Sequence, residues 1–355
     1  MNSIANYTES EIKMRFIKVL LPSLAAAALV AGSVAFTGGR GAERVDRVDF
    51  DKVVRATSPA YDARLEPVVD APIKEFRIPI KDATLEIAKG VTYEGWTFGG
   101  TVPGPVVHVR VGDLVRVTVV NNSPMPHSID FHAARIPANE AYRMIMPRDS
   151  VQFEFTAKDA GAFMVHCGTP PVTMHLMQGM YFAFIVDPKH GWGTKADKEF
   201  VLVQSEFYAK PGDSTRVGVL LPATPDWSAQ QAKNASQVVF NGRAFQYKES
   251  MLKVDVGDRV RIFVVNAGPN FESDFHIVGA IFDRVYPDGN PDHALEDVQT
   301  YHVPAGGGVV FETVFAKDGS GEGLYPFVTH SFADAEKGAV GMIQVGSPKN
   351  ARMNH

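Results

Sequence analysis

Residues 108–121 alternate apolar and polar side chains with the two-residue period of a β-strand: Val109, Val111, Val115, Val117 and Val119 fall on one face. The same pattern, broken at the same point by Gly-Asp (Gly112-Asp113, Gly257-Asp258), returns over residues 253–266, and both stretches end in Asn. Each then runs through a proline (Pro124, Pro269) to Asp-Phe-His, at Asp130-Phe131-His132 and Asp274-Phe275-His276. Upstream, Trp96-Thr97-Phe98-Gly99-Gly100 is echoed by Val238-Val239-Phe240-Asn241-Gly242. Downstream, Met146-Pro147-Arg148-Asp149 is echoed by Val303-Pro304-Ala305-Gly306, and residues 161–167 by residues 323–330. Short strands punctuated by Gly and Pro, in a unit written twice, predict an all-β chain of two tandem Greek-key sandwiches over residues 72–190 and 191–348.

The N-terminus has a different pattern. Lys13, Arg15 and Lys18 precede an apolar run over residues 19–36. Basic residues before such a run read as a signal or anchor helix (residues 1–38), with a weak cleavage site at Gly32-Ser33-Val34-Ala35. Removed or retained, it leaves the rest of the chain periplasmic or exported, either free or anchored to the inner membrane. Residues 39–71 are charged, lack apolar periodicity and read as a linker.

Composition narrows the chemistry. A formal charge of −5 argues against a general nucleic-acid binder. One cysteine, Cys167, excludes an intramolecular disulfide and leaves a reactive thiol, a metal ligand or an inert core residue.

The copies differ where chemistry is expected. The first holds His127, then Cys167, His175 and Met180 in one loop-length stretch. Two imidazoles, a thiolate and a thioether are the ligand set of an electron-transfer copper, and a sandwich brings separate loops to one end. The second copy has Glu272 near the place of His127 and no cysteine. His132 lies five residues after His127, and His166 adjoins Cys167, so on extended backbone both point away from the first set. They offer two ligands of a second metal, which wants three and an open position. His330 is the obvious third but lies in the other sandwich; if protomers formed a ring, the second copy of one chain could dock on the first copy of the next. The competing reading of each histidine is a structural hydrogen-bonding one.

With these residues in place the sequence resembles the copper-containing, NO-forming nitrite reductases. The resemblance is carried by residues 126–134, Val165-His166-Cys167, Met174-His175 through Gly179-Met180, Asp274 to Gly279, Ile281-Phe282-Asp283 and Thr329-His330-Ser331. It implies two cupredoxin domains and a homotrimer. It also implies type 1 copper on His127, Cys167, His175 and Met180, and type 2 copper on His132, His166 and a neighbouring subunit's His330. Asp130 and His276 would handle protons, and Val278 would line the nitrite pocket in place of a slightly larger aliphatic. The implied activity is dissimilatory, one-electron reduction of nitrite in denitrification. The donor would be a small cytochrome c or blue copper protein. Three other readings compete: a non-catalytic electron-transfer cupredoxin, a zinc hydrolase on the three histidines, and a laccase-like multicopper oxidase. The last is disfavoured because the chain has no His-x-His and Gly168 follows Cys167.

Overall fold

Strand Leu114–Asn121 buries every second residue, as its sequence period requires, and Val115, Val117 and Val119 enter the core. A computed structural model of the chain describes residues 44–53, 60–212, 222–315 and 321–348; the segment read as signal or anchor lies outside them. In the first sandwich one sheet runs Val45–Asp49, Ile73–Ala88, Leu114–Asn121, Ser150–Thr156, with Val91–Phe98 paired to Ile73–Ala88. The other runs Val107–Arg110, Tyr181–Asp187, Gly161–His166, Asp130–Phe131. Phe131 sits between them, packed on Phe155, Phe182 and Phe184 at centroid distances of 5.5, 6.0 and 5.5 Å.

The second sandwich has a six-stranded sheet in the order Gln237–Phe240, Lys198–Phe207, Arg259–Asn266, Gly308–Val314, Phe282–Pro287, Leu295–Val298. Against it lies a five-stranded sheet: Leu252–Val254, Val340–Val345, Gly323–Thr329, Ser273–Ile277, Thr300–Val303. Arg259–Asn266, the echo of Leu114–Asn121, does not alternate; all but Arg259 are buried. One face packs its own core through Val260, Ile262 and Val264. The other, with Phe263 where the first copy has Thr118, joins Met164, Ala183, Val203 and Val310 in an apolar layer between the sandwiches. Backbones meet closely there: a Cβ on Gly308 would lie 2.0 Å from the Ala162 carbonyl oxygen.

Two sequence expectations change. Part of the segment read as linker is folded. Val45–Asp49 pairs in parallel with the start of Ile73–Ala88, and Ala63 and Leu65 are buried beside Phe200 and Val201. The strand was hidden because it is short, lies at an edge and carries charges that pair laterally, as in Arg47–Glu75 at 2.8 Å.

The two Asp-Phe-His motifs are not equivalent. Asp130 pairs with His166, and the His132 amide donates to Met164 O. At the corresponding points of the second sandwich His276 pairs with Val328, and the Val278 amide donates to Pro326 O. The registers differ by two residues, which leaves every side chain on its original face and so leaves the sequence pattern unchanged. Asp130 therefore corresponds to His276, and His132 to Val278. Cys167 corresponds to Thr329: Ser128 N donates to Cys167 Sγ (3.3 Å) as Asp274 N donates to Thr329 Oγ1 (3.2 Å). By the same register Ser273, not Glu272, takes the place of His127.

The connector is also held by charge. His108 Nδ1 donates to Glu66 O at 2.8 Å, and its Nε2 lies 3.1 Å from Asp187 Oδ1. Burial pulls this imidazole down, but the Asp187 carboxylate, the Glu66 carbonyl and Glu199 together raise its pKa. Burial pushes Asp187 up, yet His108, Trp192 and Arg261 hold it below the usual carboxylate value. The His108 contribution to stability is therefore complete below its unfolded pKa and is lost as pH rises through the raised one. The Asp187 contribution is complete above its unfolded pKa and is lost on acidification. Thermal melts should show Asp187→Asn destabilised by about 3 kcal/mol between pH 4 and 6.5. The difference from wild type should shrink as pH rises further. A difference independent of pH would exclude the ion pair as its source.

Candidate metal centres

His127 enters at the end of a short bridge to Ile145 (His127 N to Ile145 O, 3.1 Å). Cys167 follows strand Gly161–His166, and His175 lies on the one-turn helix Val172–Met177. Their donor atoms converge in a buried cluster: His127 Nδ1 to His175 Nδ1 is 3.1 Å and Cys167 Sγ to His175 Nδ1 is 3.3 Å. Met180, fully buried, is tied in by Cys167 N to Met180 O (3.1 Å) and Met180 N to His175 O (3.1 Å). Trp96 packs on both rings, at 5.2 and 5.0 Å.

Burial, then the His175 charge, lowers the His127 pKa to about 3, and burial lowers His175 to about 4. Both imidazoles are thus neutral at pH 7, with lone pairs available. His175 Nδ1 faces both the His127 Nδ1 and the Cys167 sulfur but can make a linear hydrogen bond to only one of them, and His127 Nε2 is buried without a hydrogen bond. Donor separations of 3.1 and 3.3 Å are those of ligands about 2.0–2.3 Å from one ion. Two imidazoles, a thiolate and a nearby thioether fit a blue-copper-type ion.

A second cluster opens to solvent on the other side of the Cys167 backbone. His132 Nε2 and His166 Nε2 lie 3.1 Å apart, and Asp130 Oδ2 is 3.7 Å from His166 Nε2. Each ring is oriented through its other nitrogen: His132 Nδ1 donates to Gly306 O (3.0 Å) and His166 Nδ1 to Cys167 O (2.9 Å). With both Nδ1 protons committed, the two Nε2 lone pairs face each other bare, as around a metal whose ligands are fixed by outer hydrogen bonds. Burial first, then the His166 charge, lowers the His132 pKa, against the opposing pull of Asp130 and the Gly306 carbonyl.

His330 is not in this cluster. It lies exposed in the second sandwich, its amide donating to Asp274 O (2.7 Å) and its ring 5.4 Å from that of His276. His276 Nδ1 donates to Gln299 O (2.7 Å), with Thr300 Oγ1 at 3.2 Å. Exposed Val278, Ile281 and Phe332 belong to the same region of the chain. Sequence reasoning missed Gly306, Gln299 and Thr300. Gly306 and Gln299 act through backbone carbonyls, which side-chain identity does not report. The only signal was the run Gly306-Gly307-Gly308; Gly306 has φ +81°, which favours glycine.

The multicopper oxidase family profile matches residues 79–191. The chain is 40% identical over 274 residues to a copper-containing nitrite reductase of Neisseria gonorrhoeae, covering 76% of this chain and 67% of that protein. It is 30% identical over 337 residues to the copper-containing nitrite reductase of Pseudomonas chlororaphis, covering 89% of each. Among solved structures it resembles copper nitrite reductase from Nitrosomonas europaea (TM-score 0.70, 36% identity, 79% of this chain and 98% of that one). It also resembles a copper-containing nitrite reductase from Thermus scotoductus (TM-score 0.68, 30% identity, 80% and 64%).

Proposed function

The chain belongs to the copper-containing nitrite reductases, and on that premise we propose that it reduces nitrite to nitric oxide, NO2− + 2H+ + e− → NO + H2O. The observation that carries the site assignment is that adjacent residues, His166 and Cys167, belong to two separate donor clusters. Copper supplies a one-electron store at the first and a Lewis-acid position for nitrite at the second.

The protein's residues do the rest. His127, Cys167, His175 and Met180 form a closed donor set that excludes water from the electron-storing site. The Cys167–His166 peptide is the shortest covalent route from it to the second cluster, and the His166 Nδ1 to Cys167 O bond (2.9 Å) adds a parallel one. Asp130, on the open side of His166, can hold one proton on Oδ2 and donate it to a substrate oxygen. His276, anchored through Nδ1, keeps Nε2 free to deliver the second.

The reading makes His330 of a neighbouring copy the third imidazole of the His132–His166 cluster, and a cyclic trimer the assembly that supplies it. Two features support this: His330 is exposed and His276 half-buried beside it within their own chain, and their surroundings expose Val278, Ile281 and Phe332. Asp130 and His276 hold equivalent positions in the two sandwiches, and docking the His276–His330 surface of one copy on the His132–His166 cluster of the next would bring the two proton carriers together. Val278 would then border the nitrite pocket. The same reading gives a periplasmic enzyme of denitrification, released or tethered by its N-terminal segment and fed by a small cytochrome c or blue copper protein.

Anaerobic NO production by the purified protein tests it. His132→Ala should lose at least about a hundredfold in rate while keeping the visible band of a thiolate-bound copper. Copper should fall from about two per chain to one. An unchanged rate would overturn the assignment, and a wild type holding one copper and making no NO would be an electron carrier.

A further inference from the structure

His127, Cys167, His175 and Met180 are all buried, so an ion must reach them through the protein surface. Around His127 that surface carries thioethers. Met125, Met144 and Met146 are 40%, 53% and 52% exposed, whereas most large apolar side chains among the described residues are buried. Met144 and Met146 flank buried Ile145 and so share one outward face. Ile145 bridges to His127 in both directions, and Met125 lies two residues before that ligand. One side chain holds the two segments together: Asn121 Nδ2 donates to Met125 O (2.8 Å) and to Ile145 O (2.9 Å).

The second sandwich is an internal control. There Asn266 Nδ2 donates to Phe271 O (2.8 Å) and Val303 O (3.0 Å), the same clamp on the same two segments. These hydrogen bonds equate Ile145 with Val303, one residue away from the sequence echo of Met146 with Val303, so the positions matching Met125, Met144 and Met146 are Phe271, His302 and Pro304. The sandwich without the thiolate cluster has no thioether at any of the three, so packing of this corner does not require them.

We propose that Met125, Met144 and Met146 form a surface acceptor for a cuprous ion, from which copper passes to the buried cluster beneath. The inference rests on the reading above that this cluster holds copper. Flexible thioether side chains are soft ligands that favour Cu(I) over zinc or Cu(II). Arg143 and Arg148, exposed on either side, oppose a divalent ion more strongly than a monovalent one. Transfer is ligand exchange without electron transfer. Copper–thioether bonds break, bonds to the Cys167 sulfur and the two imidazoles form, and the Cys167 thiol proton leaves to solvent.

The copper-loaded protein, titrated anaerobically with Cu(I) buffered by bicinchoninate, should take up one further cuprous ion per chain. A Met125→Leu, Met144→Leu, Met146→Leu protein should take up none while keeping the visible band and nitrite turnover of wild type. When apo-protein is given Cu(I) and then oxidised, the band should grow at least about tenfold more slowly in the triple variant. No extra ion in wild type, or equal uptake by the variant, would overturn the acceptor. Equal band growth would overturn the hand-over. Retained band and turnover show that the triple variant folds. Failure of the nitrite reading would instead appear as absent NO production with the extra cuprous ion still bound.

Discussion

Equal mixing of a His132→Ala protein with a His330→Ala protein, each inactive alone, should return about a quarter of the wild-type rate of NO production once subunits have exchanged. In the proposed ring of three, each cluster would take His132 and His166 from one copy and His330 from the next. A cluster is whole only when the first copy carries the His330 lesion and its neighbour the His132 lesion, so random assembly restores one cluster in four. The reason for expecting sharing is that within one chain His330 contacts His276 and Phe332, and among the described residues no third imidazole joins the His132–His166 pair. Mixing before exchange, or cross-linking each variant first, should give none. No recovery after verified exchange would mean that each chain completes its own site.

Cys167→Ser should abolish the visible thiolate band, remove one copper per chain and lower donor-driven NO production by at least about a hundredfold. The sulfur accepts the Ser128 amide at 3.3 Å and lies 3.3 Å from His175 Nδ1 in a site closed to water. A serine hydroxyl stays protonated there and is a hard donor beside two neutral imidazoles, so it neither balances the ion's charge nor holds its reduced form. The fold should survive, because Thr329 already places a hydroxyl at the equivalent point of the second sandwich, accepting the Asp274 amide at 3.2 Å. Metal analysis, absorption and thermal melting separate these effects. A variant that keeps both the band and the activity would remove Cys167 from the electron path.

The donor types at both clusters were legible because thiolate, imidazole and carboxylate stand at spacings that strand geometry converts into faces. His127 and His132, five residues apart, do enter different clusters, while Asp130 and His132 share one. The repeat was legible for the same reason, but its register was not. A slip of two residues leaves Asp274, His276 and Val278 on one face, so Asp-Phe-His looked equivalent when His276 in fact matches Asp130. The strand Val45–Asp49 escaped because lateral ion pairs, not apolar alternation, hold it. Gln299 and Gly306 escaped because each works through a carbonyl.

The hydrogen bond from His132 to the Gly306 carbonyl joins a first-sandwich imidazole to a second-sandwich turn. Inherited variation at that turn should therefore behave like damage to the His132–His166 pair rather than to the strands on either side. Any side chain that pulls φ away from +81° at Gly306 withdraws the carbonyl from a ring lying on the far repeat. A genetic screen for lost NO production from nitrite would then recover lesions at this glycine with the phenotype of His132→Ala.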